Sequence, residues 1–495
     1  MPSIQFAHFS LESILLFSSA LLVVSVLISR ISSSFGIPAL LFFLVLGMTA
    51  GSEGIGGIPF DNYSVAFAVG SVCLAFIVFD GGLRTSWKSV RPILPVGISL
   101  SFLGTVVTGL ATGAFSHYVL DLTWTEALLL GAIVSSTDAA AVFSTLRSRG
   151  LGLRGSLKQT LEFEAGSNDP VAVFLTVAVL TYITSANTGP ASILILFLKQ
   201  TGFGLLFGWY GAKFYRWLIN KAGVEFEGLY GVLMVGLVMV LFSATSYAGG
   251  SGFLAVYVAG LVLGNAEYLH KGTIIRFLDG VAWISQILIF LVLGLLVFPS
   301  KLLGIWKEGL ILALFMTFAA RPLSVLIAAP GRALDRKSRL FVSWIGLRGA
   351  APIILATLPW SMGLPKAEYF FDLVFFIVLI SVILQGVSIP WVARKLDVTE
   401  PLQEESAPEI GSLLPSGFIS IEASVREDSP AHDKRIVDLG LPAGVLLTSL
   451  ERDGRYLVPQ GKSVLLAGDK VKGFARPSNI VDLKTIFGHV EGLQV

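Results

Sequence analysis

Thirteen apolar stretches follow one another between residues 12 and 392, and no other feature restricts the fold of this chain as much. A hydrocarbon core of about 30 Å takes about 20 apolar residues as a helix. By that measure the spans fall near 12–30, 36–53, 63–82, 92–120, 125–146, 158–184, 190–218, 228–247, 250–266, 275–298, 305–328, 340–359 and 368–392. Composition agrees: 54% of residues are hydrophobic, only 14% are charged, and the mean hydropathy is +0.79, outside the range of a soluble globular protein. The expectation is an all-α polytopic membrane protein.

Charge placement orders these spans. Alternate connections hold nearly all the basic residues: Arg84, Lys88 and Arg91; Arg147, Arg149, Arg154 and Lys158; Lys213, Arg216 and Lys221; Arg332, Arg336, Lys337 and Arg339. Those sides are expected to be cytoplasmic. With an odd number of spans the N-terminus lies outside and the C-terminus inside, in a multi-pass protein of the cell (inner) membrane. Nucleic acid is not an expected partner, because the basic clusters are short loops between apolar helices. "MPSIQFAHFSLES" has no Lys or Arg before the first apolar run, which argues against a cleaved secretory leader. Cys73 is the only cysteine, so no intrachain disulfide is available.

Past the last span the composition changes. Residues 397–415, "DVTEPLQEESAPEIGSLLP", are acidic, contain Pro and lack an apolar period, as expected of a linker. Residues 416–495 carry β-rich runs, "FISIEASVRE", "GVLLTSLERDG" and "SVLLAGDKVKGFA", broken by turn signals. The chain therefore divides into a membrane domain over 1–396, a linker over 397–415 and a small, mostly β, α/β cytosolic domain over 416–495.

Within the membrane domain, transporters are often built from inverted repeats with Gly or Pro interruptions near the substrate site. Span 2 ends "LGMTAG" and span 9, seven spans later, ends "AGLVLG", although Gly-x-x-x-Gly also serves ordinary helix packing. The same offset relates "VSSTDAAAV" in span 5 to "IGLRGAAPII" in span 12. Both read as broken helices, and unpaired backbone at membrane depth must be buried in protein or line a watery cavity. Carbonyls freed near Thr137 can take a cation, while the charges of Asp138 and Arg348 balance the exposed helix ends. Asp138 and Arg348 are candidates for fixing the crossing of the two broken helices, with a structural role and direct ligation both open.

Span 6 brings "LEFEAGSNDPVAVFLTV", with Glu164, Asn168 and Asp169 in an otherwise apolar helix. Intramembrane carboxylates are functional candidates, and each needs a partner. Arg321, in "FAARPLSVLI" of span 11 with no local acid, is the expected partner of Glu164, and Arg348 is the alternative. Asp169 is left without one, beside Asn168, which hydrogen-bonds without adding charge. A carboxylate withdrawn from water binds a proton or a cation, but not both at once, and such competition suffices for exchange. The competing reading is that Asn168 and Asp169 cap a helix ahead of Pro170. Asp80, in "IVFDGGLR", is either a negative charge at the cytoplasmic entrance or an interfacial residue.

Taken together, "GSNDP", "SSTDAAAV" and "GLRGAAP" on thirteen spans resemble the NhaP-like branch of the cation/proton antiporters, over residues 10–395. The resemblance implies a homodimer in the lipid bilayer and a six-helix core in which two broken helices cross. It implies Asp169 as the cation- and proton-binding carboxylate, Asn168 as its neutral partner in electroneutral exchange, Thr137 and Asp138 near the ion, and Glu164 with Arg321 as a structural ion pair. Some relatives carry Ser directly after that glutamate, where this chain has Ala165. From about Gly417 the tail resembles the C-terminal lobe of RCK (TrkA-C) domains, the best match being "GRYLVPQGKSVLLAGDKVKGF". That tail favours K+ over Na+ as the exchanged ion and implies a nucleotide or cyclic dinucleotide as regulator; fuller relatives continue past the lobe. No resident cofactor is expected, since the cation and proton are cargo. A channel is disfavoured because no "TVGYG"-like filter is present, and an organic-anion carrier because of Asp138 and Asp169. No P-loop, nucleophile, metal cluster or triad supports an enzyme.

Overall fold

A computed structural model describes residues 11–35, 38–185, 189–330, 334–401, 419–452 and 455–493. Eight of its helices are long and apolar enough to cross a bilayer, and five shorter apolar helices lie among them. In chain order the principal helices are α1 (Leu11–Phe35), α2 (Ala39–Ala50), α3 (Tyr63–Arg84), α4 (Trp87–Val119), α5a (Trp124–Ile133), α5b (Ala139–Arg147), α6 (Leu157–Thr184) and α7 (Pro190–Lys221). They continue with α8 (Glu227–Tyr247), α9 (Gly252–Gly264), α10 (Lys271–Leu295), α11 (Trp306–Ala328), α12a (Arg336–Trp344), α12b (Ala350–Ala356) and α13 (Ala367–Lys395). Both motifs expected to break helices do so, at residues 134–138 and 345–349.

Two groups of helices form the membrane unit, Met1–Leu402. One comprises α1, α2, α3, α7, α8, α9 and α10, the scaffold; the other comprises α4, α5, α6, α11, α12 and α13, the core. The scaffold is held by backbone-to-backbone crossings that tolerate no side chain. A Cβ on Gly260 of α9 would lie 3.2 Å from the Cα of Gly82 on α3, and one on Gly47 would lie 2.9 Å from the Cα of Gly294. Both Gly-x-x-x-Gly segments thus serve helix packing. In "GFGLLFGWYG", Gly204 and Gly208 set α7 against Leu254, Ala255 and Val258 of α9 within this one chain, and Gly211 faces Leu241 of α8.

At the basic-loop end, strand β1 (Leu151–Leu153), between α5b and α6, pairs antiparallel with β2 (Thr399–Pro401), just past α13. The segment expected to be an irregular linker therefore begins as a strand, because β1 offers it an open edge. Residues 402–415 of that segment lie outside the described residues.

The second unit, Gln403–Val495, contains five antiparallel strands: β3 (Ile419–Val425), β4 (Leu446–Arg452), β5 (Arg455–Leu457), β6 (Lys470–Ala475) and β7 (Gly488–Leu493), in the order β5-β4-β6-β3-β7. Helix α14 (Ile480–Phe487) buries Leu483 and Phe487 with Ile421, Ala423 and Val471. In the same unit Arg452 grips the buried Asp469 through two hydrogen bonds of 2.8 and 2.7 Å. Asp469 also accepts from the Leu466 N–H, and these donors outweigh its burial, so its carboxyl sits below the usual carboxylate range.

Candidate functional site

Where α5 breaks, the C-terminal end of α5a leaves carbonyls without helical partners and the first turn of α5b leaves N–H groups. The Asp138 carboxylate caps α5b, accepting from Ala140 N–H at 2.8 Å and from Ala141 N–H at 3.5 Å. Arg348 covers the other end. Its Nη1 donates to the Ser135 and Ser136 carbonyls at 2.7 and 2.5 Å, fully withdrawn from solvent. Each charge thus faces the helix end of opposite sign. The Asp138 N–H donates to the Leu347 carbonyl at 2.8 Å, so the two extended breaks touch where they cross. Gly349 beside them has no Cβ that would collide with the Asp138 carboxylate.

A second guanidinium performs the same service for α12a. Arg321 Nε donates to the carbonyls of Val342 and Ile345 near the end of that half-helix, at 3.2 and 3.0 Å. Its Nη1 and Nη2 hold both carboxylate oxygens of Glu164 at 2.5 and 3.0 Å, with both side chains buried. Of the two partners expected for Glu164, Arg321 makes the contact. The sequence does not show that Arg321 directly follows a π turn, Met316–Ala320, which alters the helical phase at which it leaves α11.

Five residues after Glu164 the situation is reversed. Asp169 is half-buried and has no ion pair among the described residues; Ser136 and Asp138 are the side chains acting on it. Asn168 donates from Nδ2 to Thr137 Oγ1 at 2.7 Å, tying α6 to the break in α5. Its Oδ1 is buried and closes no hydrogen bond with described residues, and the buried Ser136 hydroxyl faces Asp169 without a well-aligned bond. The break therefore gathers one uncompensated carboxylate and several neutral oxygens, a hard-donor set suited to an alkali cation. No cluster of three or more His, Cys, Asp and Glu side chains suited to a metal occurs among the described residues.

Access to this group is one-sided. Along α6, Lys158, Glu162, Ala165 and Asp169 form a partly accessible stripe at helical spacing. Farther along that face Ala172 and Thr176 are fully buried and the apolar Val173 is partly accessible. On α5b, Ala140 is exposed and Ser144 partly so, whereas Leu129–Ile133 of α5a is buried throughout. Asp169 thus communicates with the basic-loop side.

Asp80 stands apart from this arrangement, on α3 of the scaffold. It accepts from Arg84 Nε at 2.7 Å, and Arg84 also bonds Asp279 of α10. Support from α13 is not among the residues expected from the sequence: Ser381 accepts from the Arg348 N–H and donates to Gln385. A Ser and a Gln four apart inside an apolar span were the available signal.

Comparison with known proteins bears on the whole chain. The family described as "Sodium/hydrogen exchanger, transmembrane" matches residues 19–395, and the TrkA-C domain matches residues 421–488. A relative named K(+)/H(+) antiporter NhaP2, from Shewanella sp. (strain ANA-3), is 41% identical over 483 residues, covering 97% of this chain and 84% of its own. K(+)/H(+) antiporter NhaP from Alkalimonas amylolytica is 40% identical over 471 residues, covering 94% and 82%. Among solved structures, the sodium proton antiporter MjNhaP1 from Methanocaldococcus jannaschii at pH 8 superposes with a TM-score of 0.67 at 26% identity, over 77% of this chain and 97% of that one.

Proposed function

The chain belongs to the transmembrane sodium/hydrogen exchanger family, and on that premise we propose that it exchanges a monovalent cation for a proton at Asp169. One observation carries this reading: of the three carboxylates on α6, Glu162 lies 4.0 Å from Lys158 at the basic-loop end and Glu164 is saturated by Arg321, while Asp169 has no counter-charge among the described residues. In a site withdrawn from water such a carboxylate is neutral with a proton or neutral with a cation, and the two states exclude one another. One carboxylate alternating between the two makes the exchange electroneutral, one cation for one proton.

The neighbouring groups divide the work. Asn168, oriented by Thr137, offers a neutral oxygen to the cation without adding charge. Asp138 and Arg348 hold the ends of α5b and α5a, and Glu164 with Arg321 holds α6 to α12a. Asp80, paired with Arg84 on the scaffold, acts at the cytoplasmic entrance only through the residual negative charge of its cluster with Arg84 and Asp279. K+ is the favoured cargo, because two relatives at 40–41% identity are named K(+)/H(+) antiporters and share nearly the full length of this chain. The likeness to MjNhaP1, a sodium proton antiporter, keeps Na+ as the second reading.

In this reading the basic-loop side is the cytoplasm, the N-terminus is outside, the protein sits in the cell (inner) membrane as a homodimer, and the structure is open inward. Residues 1–396 are the transport domain, 397–415 the linker, and 416–495 a regulatory lobe that answers to a nucleotide or cyclic dinucleotide. The deciding experiment is proton flux in proteoliposomes with an interior pH dye, adding K+ and Na+ separately under a voltage clamp by valinomycin or another ionophore. Dequenching by K+ that survives the clamp is expected. Dequenching by Na+ alone overturns the choice of ion, and silence to both overturns the antiport reading.

A further inference from the structure

The core must move against the scaffold for the site to face the other side, and this inference rests on the antiport reading in that respect alone. The seam between them differs from the crossings inside the scaffold. At the seam, α6 meets α9 through a tyrosine lying on a bare glycine: a Cβ on Gly166 would be 2.6 Å from Cε2 of Tyr257 and 3.3 Å from its hydroxyl. The same ring meets Phe163 edge-on at 6.4 Å. Tyr257 is almost wholly buried, and its hydroxyl lies within reach of those of Ser167 and Thr85 without a well-aligned hydrogen bond to either. Just beyond, a cavity of about 150 Å³ is lined by Ser167, Pro170, Phe197, Gln200 and Leu254. The Ser167 hydroxyl and the Gln200 side-chain oxygen are likewise buried and unpartnered among described residues.

A buried phenol held only by poorly aligned neutral hydroxyls gains from a state in which it donates to a carboxylate. The acceptor lies one turn away. Glu162 is four residues before Gly166, hence on the same face of α6, on the cytoplasmic side and within electrostatic reach of the phenol. It also belongs to the accessible stripe that leads to Asp169. Packed helices shift in discrete steps, and a helical turn is about 5.4 Å. Moving α6 outward by one turn would carry Glu162 to the level Gly166 now holds.

We propose that Tyr257 and Glu162 form the inner gate: when the core moves outward, the phenol leaves Gly166 and donates to the Glu162 carboxylate, closing the stripe below Asp169. In the inward-open state described here, Glu162 stands instead 4.0 Å from Lys158. Tyr257 is thus a gating residue, contacting neither ion nor Asp169.

The test uses the full chain with Cys73→Ser as background. Cytoplasmic accessibility is read from Ala140→Cys labelling by a membrane-impermeant maleimide in inside-out vesicles. Tyr257→Phe keeps the ring and loses the donor, and labelling is expected to quicken on the order of fivefold, the population shift given by one net hydrogen bond. Glu162→Leu should match it, and the double variant should add nothing further. A Tyr257→Cys/Glu162→Cys pair should cross-link, as should Tyr257→Cys/Gly166→Cys, one capturing each state. Labelling of Tyr257→Phe at the parental rate, additive effects in the double variant, or cross-linking to position 166 alone each overturns the gate. Because labelling and cross-linking do not depend on which ion moves, their failure alongside intact exchange condemns only the gate, and the converse condemns only the antiport reading.

Discussion

Two carboxylates five residues apart on α6 have opposite fates. Glu164 is held in a bidentate pair by Arg321, which also ties down two backbone carbonyls, so a single buried charge organises α6, α11 and α12a at once. Asp169 has a like charge nearby and neutral oxygens around it. Burial alone therefore does not set the two apart; the presence of a counter-charge does. A buried pair is silent because its charge is already spoken for, whereas a lone carboxylate must borrow its neutrality from the solution.

That contrast yields an ordered set of expectations. Asp169→Asn should reduce exchange to the level of protein-free liposomes while the parent's melting temperature is retained; exchange above that level would break the comparison at its stronger end. Glu164→Gln should do the reverse in kind, lowering stability by about 3–5 kcal/mol because Arg321 is left buried without its counter-ion. Heat denaturation in detergent reads this, and equal stability would show the pair to be dispensable.

The Arg452–Asp469 pair in the tail extends the rule outside the membrane. Asp469 titrates below the ordinary value of about 3.9 in the folded state, so its contribution is fully present above that pH and is lost as pH falls through the lower, folded value. Arg452→Ala should cost about 1–3 kcal/mol and make the tail of the full-length protein cleavable by pepsin at a higher pH than the parent. The smallest effect belongs to Thr137→Val, which removes the 2.7 Å bond from Asn168. A loss of about 1 kcal/mol and a raised cation KM with residual exchange are expected; an unchanged KM would separate Asn168 orientation from cation binding.

The features readable from the sequence were those with a local physical penalty. A Thr-Asp or an Arg inside an apolar span has no inexpensive explanation, so the two breaks and the Glu164–Arg321 partnership stood out. The breaks appear at the segments those motifs occupy, with Asp138 as a cap and Arg348 on carbonyls. What remained hidden depends on distant chain segments. Nothing local in "EFEAGSNDP" or "FLAVYVAG" says that Tyr257 will rest on Gly166, and nothing in "LGL" says that its edge will be taken by "TEP". Gly-x-x-x-Gly drew attention to α2 and α9 for an unrelated reason, since small residues mark close helix crossings as readily as broken ones.

The pairing of "LGL" with "TEP" has a consequence for how the chain is made. Arg154 and Asp397, whose ion pair of 3.0 Å flanks the β1–β2 sheet, are separated by 243 positions. At roughly 5–20 residues per second of synthesis, the loop after α5b is inserted some ten to fifty seconds before its partner strand exists. During that interval the β1 edge lacks its partner, and the arrival of residues 399–401, nearly the last of the membrane unit, adds a late tie between the two halves of the chain to those made by Glu164 with Arg321 and Asp138 with Leu347.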